Sequence, residues 1–263
     1  MKRAAGRLAA PLAVAAAGLL ACADAVTDPG AVAALDFTGI AFPALITGDT
    51  LRDGAGVATP LTATVYNGRG EVVGGAEIQY FSLDTGVSID ANGFLTATRR
   101  AGSVRLVAAV SGLQSQIRRV EVTRQPDTVV APNTDIAFAY SIPDRAQNVS
   151  PALSLTLRSN DVIGDESPNV PGWRVRWRLV HNGDTLAPTD TSKFALWAAT
   201  TTRHSLTDTT KADGVSSRRL RIFANLLPVQ PDSVIVIAEV RALGLHVPGS
   251  PVRYTVTFTP PGF

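Results

Sequence analysis

Along most of this chain apolar and polar residues alternate, which is the period of a strand with one face buried. Leu61-Thr62-Ala63-Thr64-Val65 sets apolar side chains against threonines, and Ala76, Ile78 and Tyr80 repeat the pattern. Val104, Leu106, Ala108 and Val110 form the clearest run, and Ile117 to Val122 follows it. Further on, Leu153, Leu155 and Leu157 alternate, as do Trp173, Val175, Trp177 and Leu179. The stretches Val215 to Phe223, Val234 to Val240 and Val252 to Phe258 continue the series. Asn67-Gly68-Arg69-Gly70, Ala91-Asn92-Gly93 and Ser159-Asn160-Asp161 punctuate it with residues that tolerate turn geometry. A helical period is rare after the N-terminus. The pattern predicts an all-β protein of short strands.

The cues divide the chain. Residues 33–123 carry about seven strand signals, the count of an immunoglobulin-like β-sandwich. Gln125-Pro126-Asp127 breaks the alternation, and proline holds itself and its predecessor extended, so 124–128 is expected to be a short, semi-rigid linker. Residues 129–260 repeat the order of cues more loosely, as a second and longer sandwich. Its surplus is expected between His181 and His204 and around Asp144 to Pro151.

The order of cues in residues 33–123 resembles the bacterial Ig-like domains of invasin- and intimin-type adhesins. The resemblance rests on Gly48-Asp49-Thr50, Asn67-Gly68 to Gly70, Val73-Gly74-Gly75-Ala76 leading to Tyr80, Ile89-Asp90-Ala91-Asn92-Gly93, and Gly102 before Val104 to Val110. In the second half Val170-Pro171-Gly172 leads into Trp173 to Leu179, and Thr207 to Gly214 matches the turn ending at Gly93. The resemblance implies two tandem immunoglobulin-like sandwiches, each with an aromatic buried on a central strand, Tyr80 in one and Trp177 in the other. It implies a fold and no particular activity.

The N-terminus supplies an address. Lys2, Arg3 and Arg7 precede an unbroken apolar and small run, Leu8 to Leu20, as in a signal peptide. That run is too short to span a bilayer stably, which takes about 20 residues. It ends Leu19-Leu20-Ala21-Cys22, which resembles the lipobox of bacterial lipoproteins. The resemblance implies that residues 1–21 are removed, that Cys22 receives a diacylglyceryl group, and that 22–32 is a tether holding the protein to the membrane. Two or more acyl chains, at about 0.8 kcal/mol per buried methylene, anchor stably. Cys22 is the only cysteine, so no intrachain disulfide can form. Ala23 stands where Asp would retain a lipoprotein in the inner membrane of a two-membrane envelope, which points to the outer membrane.

Charge adds little once the leader is set aside. Three of the 24 basic residues lie before Cys22, leaving 21 against 22 acidic ones. The near-neutral remainder offers no footprint for nucleic acid.

Candidate chemistry is sparse. His181, His204 and His246 stand at no metal-ligand spacing, and there is no Gly-x-Ser-x-Gly elbow or glycine-rich phosphate loop leading into a helix. No enzyme activity, cofactor or metal is expected. Asn160, Asp161, Asp165 and Glu166 in one loop, and Asp208 and Asp213 in another, supply oxygen ligands of the kind Ca²⁺ takes, although solvated turns use the same residues. The most suggestive stretch is Trp173 to Leu179. Period two puts its tryptophans on one face and Arg174, Arg176 and Arg178 on the other, with Arg219 and Arg221 extending the basic face if their strand lies alongside. Such a face would suit an anionic polysaccharide, lipid head groups or an acidic protein. It also keeps a sheet soluble and discourages edge pairing. The expected role is a non-enzymatic envelope lipoprotein displaying Ig-like domains for adhesion, surface interaction or scaffolding, with a protein or glycan partner. Two alternatives are a glycan-binding module, which would expose aromatic rings, and a structural periplasmic subunit with a fixed partner.

Overall fold

The computed structural model describes residues 31–100, 102–140, 148–198, 203–223 and 230–260. The leader, Cys22 and nearly all of the tether lie outside the described residues, as do 141–147, within one of the two stretches where surplus chain was expected. Every regular element described is a strand. Among the described residues no helix is long and apolar enough to cross a membrane.

The first set of strands is β1 (Val32–Gly39), β2 (Ala44–Ile46), β3 (Thr62–Asn67), β4 (Gln79–Ser82), β5 (Val87–Ile89), β6 (Leu95–Ala97), β7 (Gly102–Val110), β8 (Leu113–Gln114) and β9 (Arg118–Thr123). One sheet runs β2-β9-β7-β4, with β8 paired to β7; β1 pairs with β3, and β5 with β6. Strand β2 lies parallel to β9, Ala44 opposite Glu121. The alternation that marked β7 has its expected consequence: Val104, Leu106 and Ala108 are completely buried, beside Phe37, Leu45, Leu51 and Leu95. Each such leucine contributes about 1.5–3 kcal/mol by leaving water. At the β5–β6 hairpin Gly93 holds a φ of 83°, a left-handed value that a residue with a Cβ seldom adopts. Tyr80 departs from expectation. It sits on β4, at the edge of the sheet, and is half-buried against Phe37 with ring centres 5.5 Å apart.

The second set is β10 (Thr128–Val130), β11 (Asp135–Ala139), β12 (Leu153–Arg158), β13 (Arg174–His181), β14 (Asp184–Thr185), β15 (Phe194–Ala198), β16 (Thr207–Thr209), β17 (Val215–Ile222), β18 (Asp232–Glu239), β19 (Arg241–Ala242), β20 (Leu245–His246) and β21 (Val252–Thr259). Ten of them form two facing sheets, β10-β12-β17-β15 and β11-β21-β18-β13-β14 with β16 also paired to β13, and β19 and β20 make a separate hairpin. No strand is shared between the sheets of residues 32–123 and those of 128–259. The result is two tandem immunoglobulin-like sandwiches. The stretch between His181 and His204 forms the hairpin strand β14 and the edge strand β15, so its extra residues widen both sheets.

The second interior is built on rings. Trp177 stacks on Tyr254 at 5.9 Å, and the Tyr254 hydroxyl donates to the Ser154 carbonyl at 2.8 Å, bridging β21 to β12 across the two sheets. Burial pushes the Tyr254 phenol well above its ordinary range. Phe258 meets Phe194 at 5.8 Å and Tyr140 at 6.4 Å.

Candidate functional site

The arginines of β13 alternate with buried residues, as their spacing predicts: Val175, Trp177 and Leu179 point inward, while Arg176 and Arg178 are exposed. The expected extension of that face is corrected by the sheet order. Strand β17 pairs with β12 and β15, not with β13, so Arg219 and Arg221 sit on the outer side of the opposite sheet. The two groups of arginines therefore make separate surfaces, because two strands from opposite layers of a sandwich have opposite outward directions.

The start of β13 is not an open ridge either. Trp173 is buried against Phe42 of the first sandwich, ring centres 5.1 Å apart, and its indole N–H donates to the Arg241 carbonyl at 3.0 Å. Arg174 lies over the Phe42 ring at 4.8 Å and is half-buried there. Loss of water and the nearby Arg176 lower its proton affinity. The Arg176 guanidinium approaches Gly54, where an added Cβ would meet it at 3.1 Å. Two of the three β13 arginines thus lean on the first sandwich.

The acidic loop after β12 has cationic partners already. Arg100 binds Asp161 at 2.7 Å and also Glu166, and Arg124 approaches Glu166 at 3.5 Å. The Arg124 side chain is only 10% exposed and donates to the carbonyls of Asp161 and Asn169 at 3.1 Å, and to that of Ser167. The residues expected to serve as a linker are held as well. Pro126 is buried, the Asp127 amide donates to the Arg158 carbonyl at 2.8 Å, and the Asp127 carboxylate accepts from the Asn160 amide at 2.7 Å. Gly172 completes the fit: with φ at 74°, it passes where any side chain would collide with Glu121. Contact replaces hinge freedom at this boundary.

Asp208, expected in a turn, belongs to β16 and faces a different cation. Arg218 shares the inward side of β17 with Leu220 and Ile222, and its side chain is 3% exposed. It pairs with Asp208 at 2.9 Å and donates to the Ser205 and Thr207 carbonyls, tying β16 of one sheet to β17 of the other. The Asp208 carboxylate also accepts from the Ser216 hydroxyl at 2.8 Å and the Ser217 amide at 3.1 Å. Asp213 caps its turn by accepting from the Val215 amide at 2.9 Å. Each histidine has a structural partner: His181 with Asp232 at 2.9 Å, His204 with the Leu196 amide at 3.1 Å, and His246 beside Arg241 at 3.2 Å. Among the described residues no group of three or more His, Cys, Asp or Glu side chains converges as metal ligands do.

On the outer side of the other sheet, Arg221 lies over the half-buried Trp197 ring at 5.0 Å and 5.9 Å from that of Phe223. Cross-strand pairing sets Trp197 opposite Arg219. Trp197 escaped the sequence reading because its short strand carries no alternation: Phe194, Ala195 and Leu196 are all buried.

No protein-family model matches the chain, and no curated protein sequence matches it. Solved structures with a similar course do exist. The adhesin InvE of Yersinia pseudotuberculosis is 16% identical, with a TM-score of 0.33 over 86% of this chain and 58% of that one. This chain thus spans a little over half of the InvE structure. Domains 4 and 5 of the S-layer protein SbsC are 11% identical, with a TM-score of 0.30 over 87% of this chain and 98% of that one. The D0-D1 domain of intimin is 14% identical, with a TM-score of 0.27 over 87% and 98%. The assignment of two immunoglobulin-like sandwiches stands on the strand order and register described above.

Proposed function

We propose that this chain is a non-enzymatic envelope lipoprotein, held by a lipid on Cys22, whose paired sandwiches form a stiff projecting unit for adhesion or scaffolding. The observation that carries the reading is the junction. Trp173 on Phe42 and the nearly buried Arg124 unite the two sandwiches into one body. Strand β1 runs from Val32 to Gly39, so about 25 Å separates the incoming tether from that junction. A body fed at one end and stiffened in the middle presents its second sandwich away from the bilayer. The outer membrane is the proposed location, on the grounds of Ala23.

Cys22→Ala is expected to move the protein from the membrane fraction to the soluble fraction. Retention of the variant on membranes after a high-salt wash would contradict the anchor. Protease treatment of intact cells, with a periplasmic control, then separates display from a periplasmic role. Trp197 with Arg221 favours one second reading, a glycan-binding surface. That reading expects Trp197→Ala to abolish retention on an acidic polysaccharide column, and unchanged retention would remove it.

A further inference from the structure

Beside the junction lies a cleft of about 380 Å³, lined by Ile40, Pro43, Ile117, Arg118, Arg119 and Arg174. It draws on both sandwiches. Three arginines line it, and among the described residues the carboxylate nearest to any of their guanidinium groups is Asp36, 3.9 Å from Arg118. Arg118 also donates to the Phe37 carbonyl at 2.7 Å. Neither Arg119 nor Arg174 has an ion pair or a side-chain hydrogen bond with any described residue, although Asp84 lies close enough to feel the charge of Arg119. Arg174 is half-buried in this state, which costs hydration without returning a salt bridge. Thr38 and the aliphatic Ile40, Pro43 and Ile117 form the remaining walls, and Ile117 is 52% exposed.

We infer that this cleft is a docking site for an acidic protein segment in which carboxylates alternate with aliphatic side chains. Charge complementarity fixes the carboxylates, since planar guanidinium groups take them in pairs of parallel hydrogen bonds. The aliphatic walls fix the rest of the segment. A free inorganic anion would leave Ile40, Pro43 and Ile117 uncovered. A sugar ring packs its C–H face on a flat aromatic surface, and no aromatic residue among those described lines the cleft, the Phe42 ring being buried beneath Arg174. An extended segment with side chains on alternate faces uses both features at once. This inference goes beyond the envelope reading and does not depend on where the chain is anchored.

The test is fluorescence anisotropy with the full chain purified in detergent and a labelled peptide alternating Glu and Val. Saturable binding is expected, weakened at least about tenfold by Arg119→Ser together with Arg174→Ser, as loss of charge-assisted bonds implies. Arg119 is exposed, so Arg119→Glu alone tests the same point without threatening the fold, and it is expected to abolish binding. Arg178→Ser, on the same strand but outside the cleft, is expected to change nothing. Equal affinity of the Arg119→Glu variant would overturn the proposal. So would absence of peptide binding, equal binding of a Lys and Val peptide, or binding of an oligogalacturonate in place of the acidic peptide.

Discussion

The interior of the first sandwich is mainly aliphatic, with Leu45, Leu51, Leu95 and Leu106 almost wholly buried around Phe37, whereas the second stacks Trp177 on Tyr254 and encloses a guanidinium. Their polar ties differ accordingly. In the second, Arg218 and Asp208 bridge the two sheets from inside. In the first, Arg105 holds Asp84 at 2.8 Å on the surface, where water screens the pair. A wider sandwich has more interior to specify, and rings plus a directed ion pair specify it where leucines would pack in several ways. The difference can be probed selectively, because all three tryptophans belong to the second sandwich. Trp177 and Trp197 report that half, while Trp173 reports the junction through its contact with Phe42.

The largest effect is expected from Arg218→Met, which leaves Asp208 without its cation and removes a donor from each of the Ser205 and Thr207 carbonyls. A loss of about 2–4 kcal/mol follows, somewhat below the range for a fully buried pair because Asp208 keeps some contact with water. Urea unfolding followed by tryptophan emission measures it, and an unchanged midpoint would mean that the internal tie is dispensable. A smaller effect belongs to the first sandwich. The Arg105 side chain and backbone amide hold Asp84 down to about 2, so the stabilisation is present above the ordinary carboxylate range and lost as pH falls through about 2. Arg105→Ser is therefore expected to start acid unfolding of the first sandwich at a higher pH, followed by amide exchange. The smallest effect has the opposite sign. Burial at the junction raises the Glu121 carboxyl, so ionised Glu121 weakens the fold as pH climbs past its unfolded value. Glu121→Gln is expected to raise the melting temperature slightly at pH 7 and not at pH 4. A variant that melts lower at pH 7 would show that the carboxylate has a favourable partner.

The strands were legible wherever one face was buried. Val104 to Val110 and Trp173 to Leu179 alternate because a single register satisfies them. Arg218 was within reach of the same logic, since the period through Leu220 and Ile222 assigns it to the inner face. A charged residue there reads as exposed until its partner is known. The junction was not legible, because Arg100 meets Asp161 and Phe42 meets Trp173 across separations that no local pattern encodes. The sheet membership of Arg219 and Arg221 was hidden for the same reason: period two gives a side, never a neighbour. Trp197 marks a further limit, since a short edge strand packed on both sides carries no alternation to read.

In both sandwiches a strand near the beginning of the domain runs parallel to the last one, β2 beside β9 and β11 beside β21. Tension applied between Val32 and Thr259 would pull the members of each such pair in opposite directions along their length. Their hydrogen bonds would then be sheared together instead of being opened one by one. The ladder spans three residue pairs in the first sandwich and five in the second, so the first sandwich is expected to yield first under load. The order of strands that gives this molecule its fold also sets the order in which its halves would give way.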